Sequence, residues 1–228
     1  MLTYVKSFLI AIHAILIAVL TIIVGPFDSR GKAVHILSKV FSKWILFIAG
    51  VKLKIEGKEN LDKHANYIFI SNHQSYFDIP VLMQAIPNVV RFIYKDTITK
   101  IPIFGWGMYL GGYIPISREN PREAIKSLKY AAERVNKGIS VVIFPEGTRS
   151  TDGTLGDFKR GAFMLADFAK VQLVPVAISG SIDIMSRTKF KIKSGDVTVK
   201  FANPVEYSKD KDLLERIKTK IDSMLQKD

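Results

Sequence analysis

The sequence predicts an α/β fold, a mixed and largely parallel sheet flanked by helices, behind an N-terminal two-helix membrane anchor. Three observations predict it. Residues 1–50 hold a 17-residue apolar run, Phe8 to Val24, interrupted only by His13 and Thr21, and then a second helical pattern. From Val51 onward, seven short β-rich runs are interleaved with helical patterns, as in α/β domains. No internal repeat or long linker divides residues 51–228, which therefore read as one domain.

The apolar run is at the lower edge of the roughly 20 residues that a spanning helix needs, so it suits either a crossing of the bilayer or insertion into one leaflet. It starts after a single Lys6 and ends in Gly25-Pro26 with no small-x-small cleavage site, so it reads as a retained helix rather than a removed signal. In the next pattern, Val34 to Ala49, a polar stripe of His35, Ser38, Lys39, Ser42 and Lys43 faces a wide apolar surface that includes Trp44. That describes a helix lying at a membrane interface; the plainer reading is an amphipathic helix packed on a soluble core, and the neighbouring apolar run favours the membrane. Five basic groups against one acid in residues 1–50 suit anionic headgroups.

The β-rich runs are Val51–Ile55, Tyr67–Ser71, Val89–Tyr94, Gly112–Ile116, Ile139–Phe144, Leu173–Ile178 and Val197–Phe201. A helix is expected after Asn120-Pro121, with Asn120 as N-cap, Ile125, Leu128, Ala132 and Val135 inward, and a stop at Gly138. Further helices are expected over Arg160–Ala169 and Asp210–Gln226.

The composition narrows the chemistry. With no cysteine among 228 residues, disulfides, zinc-thiolate sites, iron–sulfur clusters and cysteine nucleophiles are excluded. The four histidines form no close pair, which argues against a histidine-rich metal site. A net charge of +12 points to an anionic partner. The basic residues are dispersed and no recognition motif appears, so nucleic acid is the weakest candidate and a membrane surface or phosphorylated substrate the stronger one.

Two polar clusters follow apolar strands, where open α/β sheets place ligands. In the first, Asn72-His73-Gln74-Ser75-Tyr76-Phe77-Asp78, Asp78 lies a five-residue step beyond His73. On one helix these side chains would diverge by about 140°. They meet if His73 sits on the loop and Asp78 opens the next helix, which Pro80 supports. Asp78 would then orient His73 as a base for a hydroxyl; the plainer reading is a helix cap beside a loop histidine. In the second cluster, Pro145-Glu146-Gly147-Thr148-Arg149-Ser150, Arg149 suits bidentate phosphate binding, and Glu146 suits substrate hydroxyls or a pair with Arg149. Lys95 and Arg118 close two further strands and join Arg149 as candidates for one phosphate pocket. The glycine-rich, aromatic segment Ile101–Gly112 suits an acyl groove, a lipid contact or core packing.

Taken in order, NHQSYFD (72–78), GGYIPISR (111–118), FPEGTRS (144–150) and VPVAI (174–178) resemble the four motifs of the glycerolipid acyltransferases, and most closely the 1-acyl-sn-glycerol-3-phosphate (lysophosphatidate) acyltransferase family. The second motif is looser, with Pro115-Ile116-Ser117 before its Arg, and the fourth is only an apolar strand. The resemblance implies acyl transfer from an acyl-carrier-protein or CoA thioester to the 2-hydroxyl of lysophosphatidate. His73 is then the general base, held by Asp78. Glu146, Gly147, Thr148 and Arg149 fall on the acceptor-binding motif with Arg118 beside them, and Lys95 is added on charge and location. No acyl-enzyme, metal or cofactor is expected beyond the thioester co-substrate. Asn72 and helix-start amides are candidate oxyanion donors. The expected location is the cytoplasmic face of the cell membrane. The alternatives are another acceptor (glycerol-3-phosphate, another lysophospholipid or a lipid A precursor), a non-catalytic lipid-binding protein, and a hydrolase using Ser75 or Ser150. The last lacks a Gly-x-Ser-x-Gly elbow.

Overall fold

The computed structural model describes residues 2–210 and 212–226. Positions 1 and 228, the outer limits of the two predicted segments, and position 211 within the last predicted helix lie outside the described residues. In chain order the elements are α1 (Leu2–Val24), α2 (Lys32–Ala49), β1 (Val51–Glu56), β2 (Ile68–Ser71), α3 (Asp78–Ala85), β3 (Val90–Lys95), α4 (Phe104–Leu110), β4 (Ile114–Ile116), α5 (Pro121–Asn136), β5 (Ser140–Ile143), α6 (Arg160–Ala169), β6 (Leu173–Ser179), α7 (Ser181–Ile184), β7 (Gly195–Phe201) and α8 (Leu213–Leu225). Each β-rich run becomes a strand. The Asn120 side chain caps α5 by accepting from the amides of Arg122 and Glu123.

The strands form one sheet in the order β1-β7-β6-β2-β5-β3-β4. The five strands from β6 to β4 are parallel, whereas β7 is antiparallel to β6 and β1 runs with β7. The sheet is therefore mixed and largely parallel. Alternation along β2 sends Phe69 into a core shared with α2 and α3, and Ile68 and Ile70 into a second core with α5, α6 and α8. Burying each such side chain contributes about 1.5–3 kcal/mol. The parallel order brings the C-terminal ends of β2, β5, β3 and β4 to one edge, and the polar clusters lie there.

The N-terminal region inverts the usual arrangement. Of the two helices expected to anchor the chain, only α1 is long and apolar enough to cross a bilayer, and 17% of its most apolar window is buried. Leu9, Ile12, Leu16 and Ile23 face outward. The charge near its start, Lys6, turns inward and donates to the Ala49 carbonyl at 2.8 Å. In α2 the polar stripe faces the protein rather than water: His35, Ser38 and Ser42 are buried, while Ile36, Val40, Trp44 and Phe47 are exposed. Ser38 Oγ pairs with Tyr113 Oη at 2.7 Å, and Lys39 Nζ donates to the carbonyls of Ile86 at 2.9 Å and Gln84 at 3.3 Å. An outward apolar face over inward polar groups is what a lipid environment favours, and it points to membrane association.

The segment Ile101–Gly112 supplies α4, which packs on α1. A Cβ on Gly107 would lie 3.0 Å from Ala18 Cα, and one on Gly111 would lie 2.8 Å from Thr21 Cγ2, so glycine sets how closely these helices approach. Arg91 on β3 is fully buried and ties this region to the sheet. Its Nε donates to Gly111 O at 2.7 Å, Nη2 to Gly31 O at 2.9 Å and Nη1 to Val90 O at 3.0 Å.

Candidate active site

His73 sits on the loop after β2 and Asp78 is the first residue of α3, so the chain turns back between them. His73 Nδ1 and Asp78 Oδ2 are 2.7 Å apart. The same oxygen accepts from the amides of Gln74 at 2.7 Å and Ser75 at 2.9 Å. Asp78 is thus no cap of its own helix: it is fully buried and reaches backwards to shape the loop that carries His73. Charge-assisted hydrogen bonds of this kind stabilise a desolvated carboxylate. The His73 ring also stacks on Phe144, with centroids 4.0 Å apart and planes 15° off parallel. With Nδ1 on the carboxylate, Nε2 is the nitrogen left to take a proton.

The loop after β5 is stitched to both sides of the histidine backbone. Glu146 Oε1 accepts from His73 N at 2.8 Å, and Ser150 N donates to His73 O at 2.8 Å. Glu146 Oε2 accepts from Gly156 N at 2.9 Å, so this carboxylate braces two loops and forms no ion pair with Arg149 among the described residues. Burial pushes the Glu146 carboxyl above the usual carboxylate range, against the two amides and the nearby His73. Gly147 turns the loop at φ +69°, where a Cβ would lie 2.9 Å from Lys159 Nζ.

Beside this loop a cleft of about 330 Å³ is lined by Glu146, Thr148, Arg149, Ser150 and Arg187, among others. The Arg149 guanidinium lies over Tyr76, its Cζ 3.5 Å from the ring centroid, and its Nη1 is buried without a hydrogen-bond partner. Arg187 Nη1 donates to Arg149 O at 3.0 Å. The structure therefore gathers His73, Asp78, Glu146, Gly147, Thr148 and Arg149. Lys95 ends β3 and Arg118 follows β4, the second and third strands from β2 on that side, and neither lines the cleft. A larger cavity of about 550 Å³ lies among the α1–α2 turn, α4 and α5 and includes none of these residues.

Two expectations change on inspection of contacts. The Asn72 amide donates to Ile178 O at 2.9 Å and accepts from Ile178 N at 2.8 Å, bracing β2 against the end of β6 rather than facing an oxyanion. Ser75 is fully buried and its Oγ donates to Met185 O at 2.7 Å, which removes it as a nucleophile. Sequence reasoning did not single out Tyr76, Phe144 or Arg187, since contacts formed only by folding give them their roles.

A histidine held by a buried carboxylate, on the C-terminal edge of a largely parallel sheet and beside a cationic cleft, is an arrangement of the kind that α/β enzymes use to act on a hydroxyl near an anion. The chain belongs to the acyltransferase family, whose model matches residues 52–179. It is 38% identical over 217 residues to a chloroplastic 1-acyl-sn-glycerol-3-phosphate acyltransferase of Arabidopsis thaliana, covering 92% of this chain and 60% of that protein. A 1-acyl-sn-glycerol-3-phosphate acyltransferase of Saccharomyces cerevisiae is 32% identical over 196 residues, covering 85% of this chain and 63% of that one. The chain thus spans about 60% of the length of such relatives. The crystal structure of the 1-acyl-sn-glycerophosphate acyltransferase PlsC from Thermotoga maritima shares the fold, with a TM-score of 0.84, 24% identity and coverage of 99% of this chain and 95% of that one.

Proposed function

We propose that the protein transfers a fatty acyl group from an acyl thioester, carried on acyl-carrier protein or CoA, to the 2-hydroxyl of lysophosphatidate, forming phosphatidate. The observation that carries this reading is the His73–Asp78 pair, 2.7 Å apart, with the Glu146–Ser150 loop bonded to both sides of the His73 backbone. His73 Nε2 takes the hydroxyl proton as the oxygen attacks the thioester carbonyl. The tetrahedral intermediate collapses, the C–S bond breaks, and the proton returns from His73 to the departing thiolate. Asp78 holds the ring and balances its transient charge. Arg149 in the cleft, with Arg118 and Lys95 farther along the edge, supplies cationic groups for the acceptor phosphate. The thioester is already activated, so this chemistry calls for no metal or cofactor. Acyl thioesters are made in the cytoplasm, which favours the cytoplasmic face of the cell membrane.

The test is thioester-dependent acylation of lysophosphatidate in detergent. Both His73→Ala and Asp78→Asn should lower turnover by about 10²–10⁴-fold while circular dichroism stays native. Unchanged activity of His73→Ala would falsify the mechanism. Competition with glycerol-3-phosphate and other lysophospholipids identifies the acceptor.

A further inference from the structure

Between α7 and β7 the chain reads Ser186-Arg187-Thr188-Lys189-Phe190-Lys191-Ile192-Lys193-Ser194, with four cations and no acid between Asp183 and Asp196. The four cations are exposed and none forms an ion pair among the described residues. Ile192 is buried and pins the loop, while Phe190, flanked by two lysines, is 65% exposed. The loop joins two places already described. At one end Arg187 donates to the Arg149 carbonyl and lines the cleft. At the other, Ser194 Oγ donates to Ala49 O at 2.9 Å and accepts from Lys6 Nζ at 3.3 Å, where the start of α1 meets the end of α2.

We propose that this loop is a second membrane contact, separate from the helices, in which Lys189, Lys191 and Lys193 bind anionic lipid headgroups and Phe190 enters the boundary beneath them. An exposed aromatic among lysines matches an interfacial segment, in which the ring leaves water and the ammonium groups stay with phosphate. Through Ser194 the loop is tied to the junction of α1 and α2, the two helices that expose apolar side chains, and its own exposed ring favours a lipid surface over an acidic carrier protein, which would use the charges and leave the ring in water. Contact here sets the cleft mouth against the headgroup layer. The inference deepens the reading of a membrane-borne acceptor, and its readout needs no turnover, so either can fail alone.

The chain has no cysteine, so Phe190→Cys accepts a single environment-sensitive fluorophore. With full-length protein, vesicles containing phosphatidylglycerol should shift its emission to the blue, whereas vesicles of phosphatidylcholine alone and a probe at Lys137→Cys on the end of α5 should show little shift. Replacing Lys189, Lys191 and Lys193 by Gln should raise the lipid needed for half-maximal shift roughly tenfold or more, and high salt should do the same. A Phe190 probe that stays in water while brominated lipid quenches Trp44 and Trp106 overturns the proposal. So does failure of the chain to bind either vesicle, or a probe that answers acyl-carrier protein in detergent and ignores lipid.

Discussion

The N-terminal helices and the C-terminal edge of the sheet break the usual rule of globular proteins in opposite directions. Along α1 and α2 large apolar side chains face out while Lys6, Thr21, His35, Ser38 and Ser42 face in, whereas at the sheet edge a carboxylate and an amide are buried completely. The first region is arranged for a partner made of hydrocarbon. The second holds desolvated polar groups because each one fixes another: Asp78 orients His73, Glu146 joins two loops, and Asn72 locks β2 to β6. Exposure marks where the protein meets its surroundings, and burial of charge marks where the geometry must not move.

The sharpest test of that contrast is Asp78. Asp78→Ala leaves the Gln74 and Ser75 amides unpaired and frees the His73 ring, so turnover should fall by at least the 10²–10⁴-fold expected of Asp78→Asn, with an added loss of about 2–4 kcal/mol in urea unfolding. Equal stability of the two variants would show that the carboxylate serves chemistry alone. Arg91→Met tests the connection between the regions. Removing the Arg91 bonds to three buried carbonyls, of which Gly31 O keeps the His35 amide, should cost about 2–4 kcal/mol and loosen the α1–α2 turn, read by denaturation and by hydrogen exchange near Gly31.

His35 gives a pH-dependent test on the helical side. Burial first, then Lys39 and Arg91, lowers its pKa to about 4 from 6.5, so the folded protein binds fewer protons than the unfolded chain between those values. Its contribution is complete above pH 6.5 and is lost as pH falls towards 4, approaching about 3 kcal/mol. His35→Leu should flatten the acid limb of stability in that window, and an unchanged limb would count against burial of the neutral imidazole. The smallest effect belongs to Tyr76. Tyr76→Leu removes the surface under Arg149 and should raise the acceptor KM about fivefold with kcat nearly constant, whereas Tyr76→Phe keeps the ring face and should match wild type.

The strands and the helices α5 and α6 were legible because period-two and period-3.6 patterns, an Asn-Pro start and a glycine stop are local signals. The helix α4 was not. Gly105, Gly107 and Gly111 read as loop by propensity, and contact with α1 overrides that preference. The sheet order is nonlocal, so the outer position of β1 and the one antiparallel pair between β6 and β7 left no mark in the sequence. At the site, the spacing of His73 and Asp78 could be read, since both close onto one turn. The assignment of Asn72 could not, because its partner Ile178 lies 106 residues away.

The crossing of α1 and α4 has a consequence beyond packing. Gly107 on Ala18 and Gly111 against Thr21 bring two backbones together through shape, with no large side chain between them. Hydrocarbon tails compete as well as leucine for an apolar surface, so burial that drives helix association in water gives no such drive in a bilayer, while close van der Waals fit keeps its value. The joint is therefore indifferent to its solvent. The fit between these two helices keeps its value whether water or lipid surrounds it.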